Sequence, residues 1–167
     1  MPGAIDEAHY RQVLGHFPTG VVIVAAPGPS GPESGKQGPS GPVGTAIGSF
    51  ISLSIDPPLV AFTAQKTSST WPHIRESGVF CVSVLAEDQE AICRAFAQSG
   101  TDKFAGVGYT QMGSGSPRIN DCTAWMDCDI ETVHDGGDHD IVVGRVREMG
   151  IEREAKPLLF YRGGYSL

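Results

Sequence analysis

The stretch that decides the fold is Val43-Gly44-Thr45-Ala46-Ile47-Gly48-Ser49-Phe50-Ile51-Ser52-Leu53-Ser54-Ile55-Asp56-Pro57-Pro58-Leu59-Val60. Its β-branched and aromatic residues read as a strand, yet it carries more glycine and hydroxyl positions than packing requires. Glycines at 44 and 48 let another group approach the main chain closely. Ser52 and Ser54 repeat at the period that places side chains on one face of a strand, so one face is expected to be polar. The residues alone fit an ordinary strand as well as a ligand-facing one.

Outward from this stretch the chain reads as short strands and turns. Twenty-two Gly and twelve Pro in 167 residues favour a β-rich fold over a helical bundle. The length and the 40% hydrophobic content suit one domain over 1–167 with one core. Upstream, Tyr10, Val13, Leu14 and Phe17 mark one face of an amphipathic helix over Asp6 to Phe17, ended by Pro18. Val21-Val22-Ile23-Val24-Ala25-Ala26 lacks polar alternation and predicts a strand covered on both faces. Residues 27–42, PGPSGPESGKQGPSGP, read as a flexible hairpin loop, because the glycine rhythm breaks too soon for a triple helix.

Downstream, Pro57-Pro58 turns the chain into a strand from Leu59 to Thr63. The hydroxyl cluster Thr67-Ser68-Ser69-Thr70 then leads into a short helix that carries Ile74 and stops at Gly78. Ser68 or Ser69 is its expected cap, and the free amides at such an end attract anions. A strand over Val79 to Leu85 precedes a helix from Glu87 to about Ala97, with Ala91, Ile92, Ala95 and Phe96 as its buried face. Ser99 to Ile119 reads as a long glycine-dotted loop. Strands over Ala124–Val133, Ile141–Met149 and Leu158–Tyr161 close the chain. In the first of these, Asp127, Asp129 and Glu131 share a parity expected to face outward. About seven strands, two or three short helices and no βαβ repeat predict an antiparallel barrel. No GxGxxG fingerprint is present, so any dinucleotide binds without that motif.

Charge and cysteine usage narrow the function. A net charge of −7 opposes nucleic-acid and anionic-membrane binding. Cys81, Cys93, Cys122 and Cys128 show no C-x-x-C spacing and read as reduced thiols, with Cys81 and Cys93 in apolar segments. His134, Asp135, Asp138, His139 and Asp140 match no usual metal-ligand spacing, so no metal site is expected. No signal-like opening and no membrane-length apolar run are seen, and the expectation is a soluble cytoplasmic protein.

Five anchors, in order, carry a resemblance. They are Phe17-Pro18-Thr19-Gly20-Val21, the Gly48 to Val60 stretch, Asp102-Lys103-Phe104-Ala105-Gly106, Gly137-Asp138-His139, and Pro157-Leu158-Leu159-Phe160-Tyr161-Arg162-Gly163-Gly164-Tyr165. The chain resembles the flavin reductase-like family over nearly its whole length. That resemblance implies an FMN-binding split β-barrel and an NAD(P)H:flavin oxidoreductase that supplies reduced flavin to a two-component monooxygenase.

It further implies FMN or FAD as the flavin, NADH or NADPH as hydride donor, and a homodimer. By the same resemblance, flavin contacts fall to Ala46, Ile47, Gly48, Ser49 and Ser52, to the Lys66, Thr67, Ser68 and Ser69 turn, and to Lys103 and Phe104. With Ala46 and Gly48 standing where members often carry polar residues, Ser49 becomes the preferred polar contact. His139 is implied at the reactive face, as nicotinamide contact and the candidate catalytic residue, with Arg162 and Tyr165 as further nicotinamide contacts. Read without the resemblance, Ser68 and Ser69 are ordinary helix caps, Lys103 a solvated lysine, Phe104 a plug under a loop and His139 polar surface. A flavin carrier without reductase activity is the alternative function. A pyridoxamine-type oxidase on such a barrel has no motif support here.

Overall fold

The computed structural model describes residues 4–29, 41–100 and 102–165; most of the 27–42 loop therefore lies outside the described residues. In chain order the elements are α1 (Glu7–Leu14), β1 (Thr19–Gly20), β2 (Val22–Ala26), β3 (Val43–Ile47), β4 (Ile51–Ser54), β5 (Leu59–Gln65) and α2 (Trp71–Ser77). There follow β6 (Val79–Val84), a 3₁₀ turn (Glu87–Gln89) running into α3 (Glu90–Ala97), β7 (Tyr109–Gln111), β8 (Pro117–Ile119), β9 (Ala124–Gly136), β10 (His139–Ile151) and β11 (Leu159–Phe160). No helix among the described residues is long and apolar enough to cross a membrane.

Seven antiparallel strands form one sheet in the order β3-β2-β6-β9-β10-β5-β4. The Val43–Val60 stretch is thus not one strand but three parts: β3 and β4, at opposite edges of the sheet, and the start of β5. Laid flat, seven strands would hold these edges about 29 Å apart. The three residues joining them, Gly48 to Phe50, reach only about 10–15 Å. The sheet must therefore curl until its edges approach, which makes a barrel split between β3 and the β5–β4 side.

Ser49 pins the bend. Its hydroxyl accepts from Thr63 N–H (3.0 Å) and Thr63 Oγ1–H (2.8 Å) and donates to the Thr63 carbonyl (3.3 Å). The main-chain edge of β5 is satisfied there by a side chain instead of a neighbouring strand.

β2 is buried along its whole length, as its uninterrupted apolar run predicts. Val22, Val24 and Ala26 enter the barrel core with Phe62, Phe80, Val82, Cys128 and Val142. Ile23 and Ala25 point the other way, into a second core completed by Leu85, Cys93, Phe96, Phe104, Ile119 and Leu158. All four cysteines are free and buried. Burial pushes the thiols of Cys122 and Cys128 up to about 11 and about 12, which leaves them protonated near neutral pH.

Four expectations are corrected. α1 stops at Leu14, with Asp6 capping it through the His9 amide, and it buries none of its residues; a helical period defines a face without specifying what covers it. On α3, Cys93 rather than Ala91 is buried with Phe96, because the helix is rotated to press Phe96 onto Gly44. The Ser99–Ile119 segment contains a hairpin, β7 against β8. Asp127 keeps the parity opposite to the core-facing Cys128, yet it is 1% exposed because the hairpin turn covers it, with Ser114 N–H (3.0 Å) and Ser114 Oγ–H (2.5 Å) donating to its carboxylate.

Candidate functional site

A cavity of about 310 Å³ lies in the split of the barrel. One side is β3 and the bend, from Thr45 through Ala46, Ile47 and Gly48 to Ser49. The other is the end of β5, Phe62 to Gln65, beyond the point where β4 stops covering it. Trp71 and Ile74 of α2 form an apolar wall, and Ser68 and His139 stand at the rim.

The polar character of the β3 side comes from its backbone. Lys103 Nζ donates to the Gly44 carbonyl at 3.1 Å, so Gly44 turns its main-chain groups away from β2. Alternation along an antiparallel strand turns those of Ala46 the same way, into the split. Gly48 keeps the bend open, since a Cβ there would stand 3.1 Å from Thr19 Oγ1, a buried hydroxyl with no partner among the described residues.

α2 begins where Ser68 accepts from the amides of Thr70 (3.2 Å) and Trp71 (3.3 Å). The N-cap expected at Ser68 or Ser69 is corrected to Thr70, whose side chain makes no cap bond; the Ser68 hydroxyl serves the two amides from one turn upstream. These amides are taken rather than free for an anion. Pro72 suits the first turn, and Gly78 ends the helix in the left-handed region at φ 69°.

His139 opens β10 beside Gln65 of β5, and Asp138 Oδ1 lies 2.7 Å from its Nδ1. That bond holds the Asp138 carboxyl below its ordinary value and orients the imidazole, leaving Nε2 as the ring's other polar atom. Lys66 forms an exposed ion pair with Asp135, which raises the lysine and lowers the carboxyl; its amide also donates to the Asp138 carbonyl (3.0 Å). Lys66 thus ties the end of β5 to the β9–β10 turn. Lys103 differs. It is half-buried with Gly44 O and Thr70 Oγ1 (3.4 Å) as partners, no carboxylate among the described residues pairs with it, and burial lowers its pKa.

The sequence-derived residues therefore separate. Ala46, Ile47, Gly48, Ser49, Ser68 and His139 meet at the cavity, flanked by the exposed Thr67 and Ser69. Lys103 lies at the free edge of β3, beside the cavity but not in its lining. Ser52 is exposed on β4 at the far edge, and Phe104 is 8% exposed in the second core, edge-on to Phe96 at 4.9 Å.

Arg162 and Tyr165 do not line the cavity. The Arg162 amide donates to Gly15 O (3.0 Å). The Tyr165 hydroxyl accepts from Cys93 Sγ (3.3 Å), its ring lies under Arg94 at 4.9 Å, and burial pushes it up to about 12. Phe62, Thr63, Ala64, Gln65, Trp71 and Ile74 are lining residues that sequence reading did not single out for the site. Only the aromatic at the start of a helix, Trp71, offered a signal, and it reads equally as core.

Residues 14–166 match the model of the flavin reductase like domain, and the chain belongs to that family. It is 48% identical over 163 residues to a flavin reductase of Pseudomonas putida, covering 98% of this chain and 91% of that protein. It is 46% identical to HsaB, the reductase subunit of a flavin-dependent monooxygenase of Rhodococcus jostii, covering 98% and 78%. Among solved structures, nitrilotriacetate monooxygenase component B from Mycobacterium thermoresistibile superposes with a TM-score of 0.87 at 43% identity, covering 98% of this chain and 87% of that one. The split barrel expected from the resemblance is thus the fold observed.

Proposed function

We propose that the cavity between β3 and β5 is the flavin seat of an NAD(P)H:flavin oxidoreductase that hands reduced flavin to a monooxygenase component. The observation that carries this reading is the split itself. It offers a planar aromatic ligand main-chain groups of Ala46 on one side and the apolar wall of Phe62, Trp71 and Ile74 on the other.

FMN or FAD fits the residues present. The backbone from Ala46 to Ser49 would line the ring edge, Ser68 with its exposed neighbours Thr67 and Ser69 the ribityl chain, and Lys103 a phosphate. Lys103 suits that role better than Lys66, whose charge Asp135 already balances. Bound flavin supplies the redox chemistry, taking a hydride from NADH or NADPH, and the protein's share is orientation. His139 at the rim, held by Asp138, guides the nicotinamide onto the open side of the site. No protein acid or base is needed to move a hydride.

The working unit is a homodimer. Ile51, Leu53 and Ile55 on and after β4 are 54%, 49% and 95% exposed, and α1 turns Tyr10, Val13 and Leu14 outward. Apolar side chains in such numbers on a small protein mark a contact surface. Four free, buried thiols suit the reducing cytoplasm.

Anaerobic addition of NADH, then NADPH, to protein with FMN or FAD tests the activity. Bleaching of the flavin absorbance well beyond a protein-free control is expected. Bound flavin that stays oxidised would make the chain a carrier. His139→Ala is expected to raise KM for the nicotinamide about tenfold while flavin still binds, the loss of roughly one hydrogen bond. Unchanged nicotinamide kinetics would remove His139 from the site.

A further inference from the structure

One largely buried carboxylate beside the cavity has no part in the reading above. Asp140 follows His139 on β10 and is paired across the ladder with Ala64 of β5 and Asp135 of β9. Alternation gives it the face of Val142, which is wholly inside the barrel core. Its side chain is 13% exposed. Oδ2 accepts the indole N–H of Trp71 at 2.8 Å and lies 3.6 Å from Arg75 Nη1. Trp71 and Arg75 are four residues apart and so share a side of α2. One carboxylate oxygen therefore ties two turns of that helix to the strand that begins with His139.

Trp71 is 4% exposed and stands edge-on to Phe62, with ring centroids 6.2 Å apart and planes at 86°. The ring has an apolar body and one polar atom, and Asp140 engages that atom. If the acceptor is removed, the N–H is left buried without a partner, and the ring must turn or draw water toward the cavity to satisfy it. Either response alters the wall.

We infer that Asp140 is a positioning residue of the flavin site, acting through the Trp71 indole N–H to hold that ring as the flat wall against which the isoalloxazine seats. This inference rests on the reading of the cavity as the flavin seat. Asp140 touches neither flavin nor nicotinamide; its effect passes through Trp71 and appears in flavin affinity.

A double-mutant cycle on the full-length protein tests it, with FMN as the probe. Trp71 emission is isolated by subtracting the signal of Trp71→Phe, since Trp125 is the other tryptophan of the chain. In the wild type, FMN is expected to quench Trp71. Asp140→Ala should shift Trp71 emission and weaken FMN binding about tenfold, as loss of a bond to a charged group does. Asp140→Asn, which keeps an acceptor, should stay within about threefold of the wild type. In a Trp71→Phe background, Asp140→Ala should cost less than about twofold more. Should Asp140→Ala not fold, Asp140→Leu removes the acceptor while keeping the branching at Cγ and carries the same expectation.

Normal wild-type quenching with undiminished FMN affinity in Asp140→Ala would overturn the inference alone. So would a loss equally large in the Trp71→Phe background. Reductase turnover without any FMN effect on wild-type Trp71 would overturn the siting of the flavin, and this inference with it.

Discussion

The two edge strands of the sheet, β3 and β4, are neighbours in sequence and opposites in surroundings. β3 is backed by α3, whose Phe96 stands where a Cβ on Gly44 would be 2.7 Å from its Cε1, and its free main-chain edge borders the cavity. β4 carries Ile51 and Leu53 on its exposed surface and does not line that cavity. An unpaired edge invites a partner. On β3 the neighbouring groups are Lys103 and the open split, which suit a small ligand. On β4 they are exposed apolar side chains, which suit a second copy of the chain. A three-residue bend pinned by Ser49 would let one continuous stretch of sequence serve both proposed tasks.

Three perturbations sharpen this contrast. The largest effect is expected on the β4 side, where Leu53→Glu would place an unpaired charge in the proposed contact between copies. We expect self-association to weaken about a hundredfold, read by sedimentation equilibrium, with circular dichroism unchanged. A dimer of undiminished affinity would take β4 out of that contact. Next is Gly44→Ala on β3, where the added methyl meets the Phe96 ring. Overpacking of this kind costs about 1–3 kcal/mol, and urea unfolding should show it without a change in oligomeric state; wild-type stability would mean that Phe96 moves aside freely.

The smallest effect concerns the turn at the rim. Asp135 has a folded pKa lowered by Lys66, so the pair's contribution is present above the ordinary carboxylate value of 3.8 and is lost as pH falls through the lowered one. Asp135→Asn should flatten the acid limb of the stability profile slightly and leave flavin affinity unchanged. An acid limb identical to the wild type would show that the exposed pair contributes nothing.

Where the sequence was legible, a single physical signal governed the outcome. The run Val21–Ala26 had no polar alternation because both faces of β2 are covered, and a hydroxyl cluster ahead of a Pro-containing first turn did mark the start of α2, although its N-cap is Thr70 rather than Ser68 or Ser69. The residues expected at Ala46 to Ser49, Ser68 and His139 do converge on one cavity. The bend at Gly48 to Phe50 was hidden, because period-2 alternation continues through it and the atoms that break the strand belong to Thr63, fourteen residues away. Asp127 was misplaced for a similar reason: what covers it is Ser114, thirteen residues back. Asp140 and Trp71 are 69 residues apart, and nothing local to either announces their bond. Lys66 and Lys103 looked alike as cations; only the positions of Asp135 and Gly44 separate them.

The central claim is that flavin seats in the split between β3 and β5. Amide hydrogen exchange with and without saturating FMN tests it most directly, because it reports where the backbone is covered. Slowed exchange is expected in Thr45–Ser49 and Ala64–Trp71, with the β7–β8 hairpin unaffected. Protection confined to the hairpin or to the far end of β9 and β10, with the edges of the split unchanged, would contradict it.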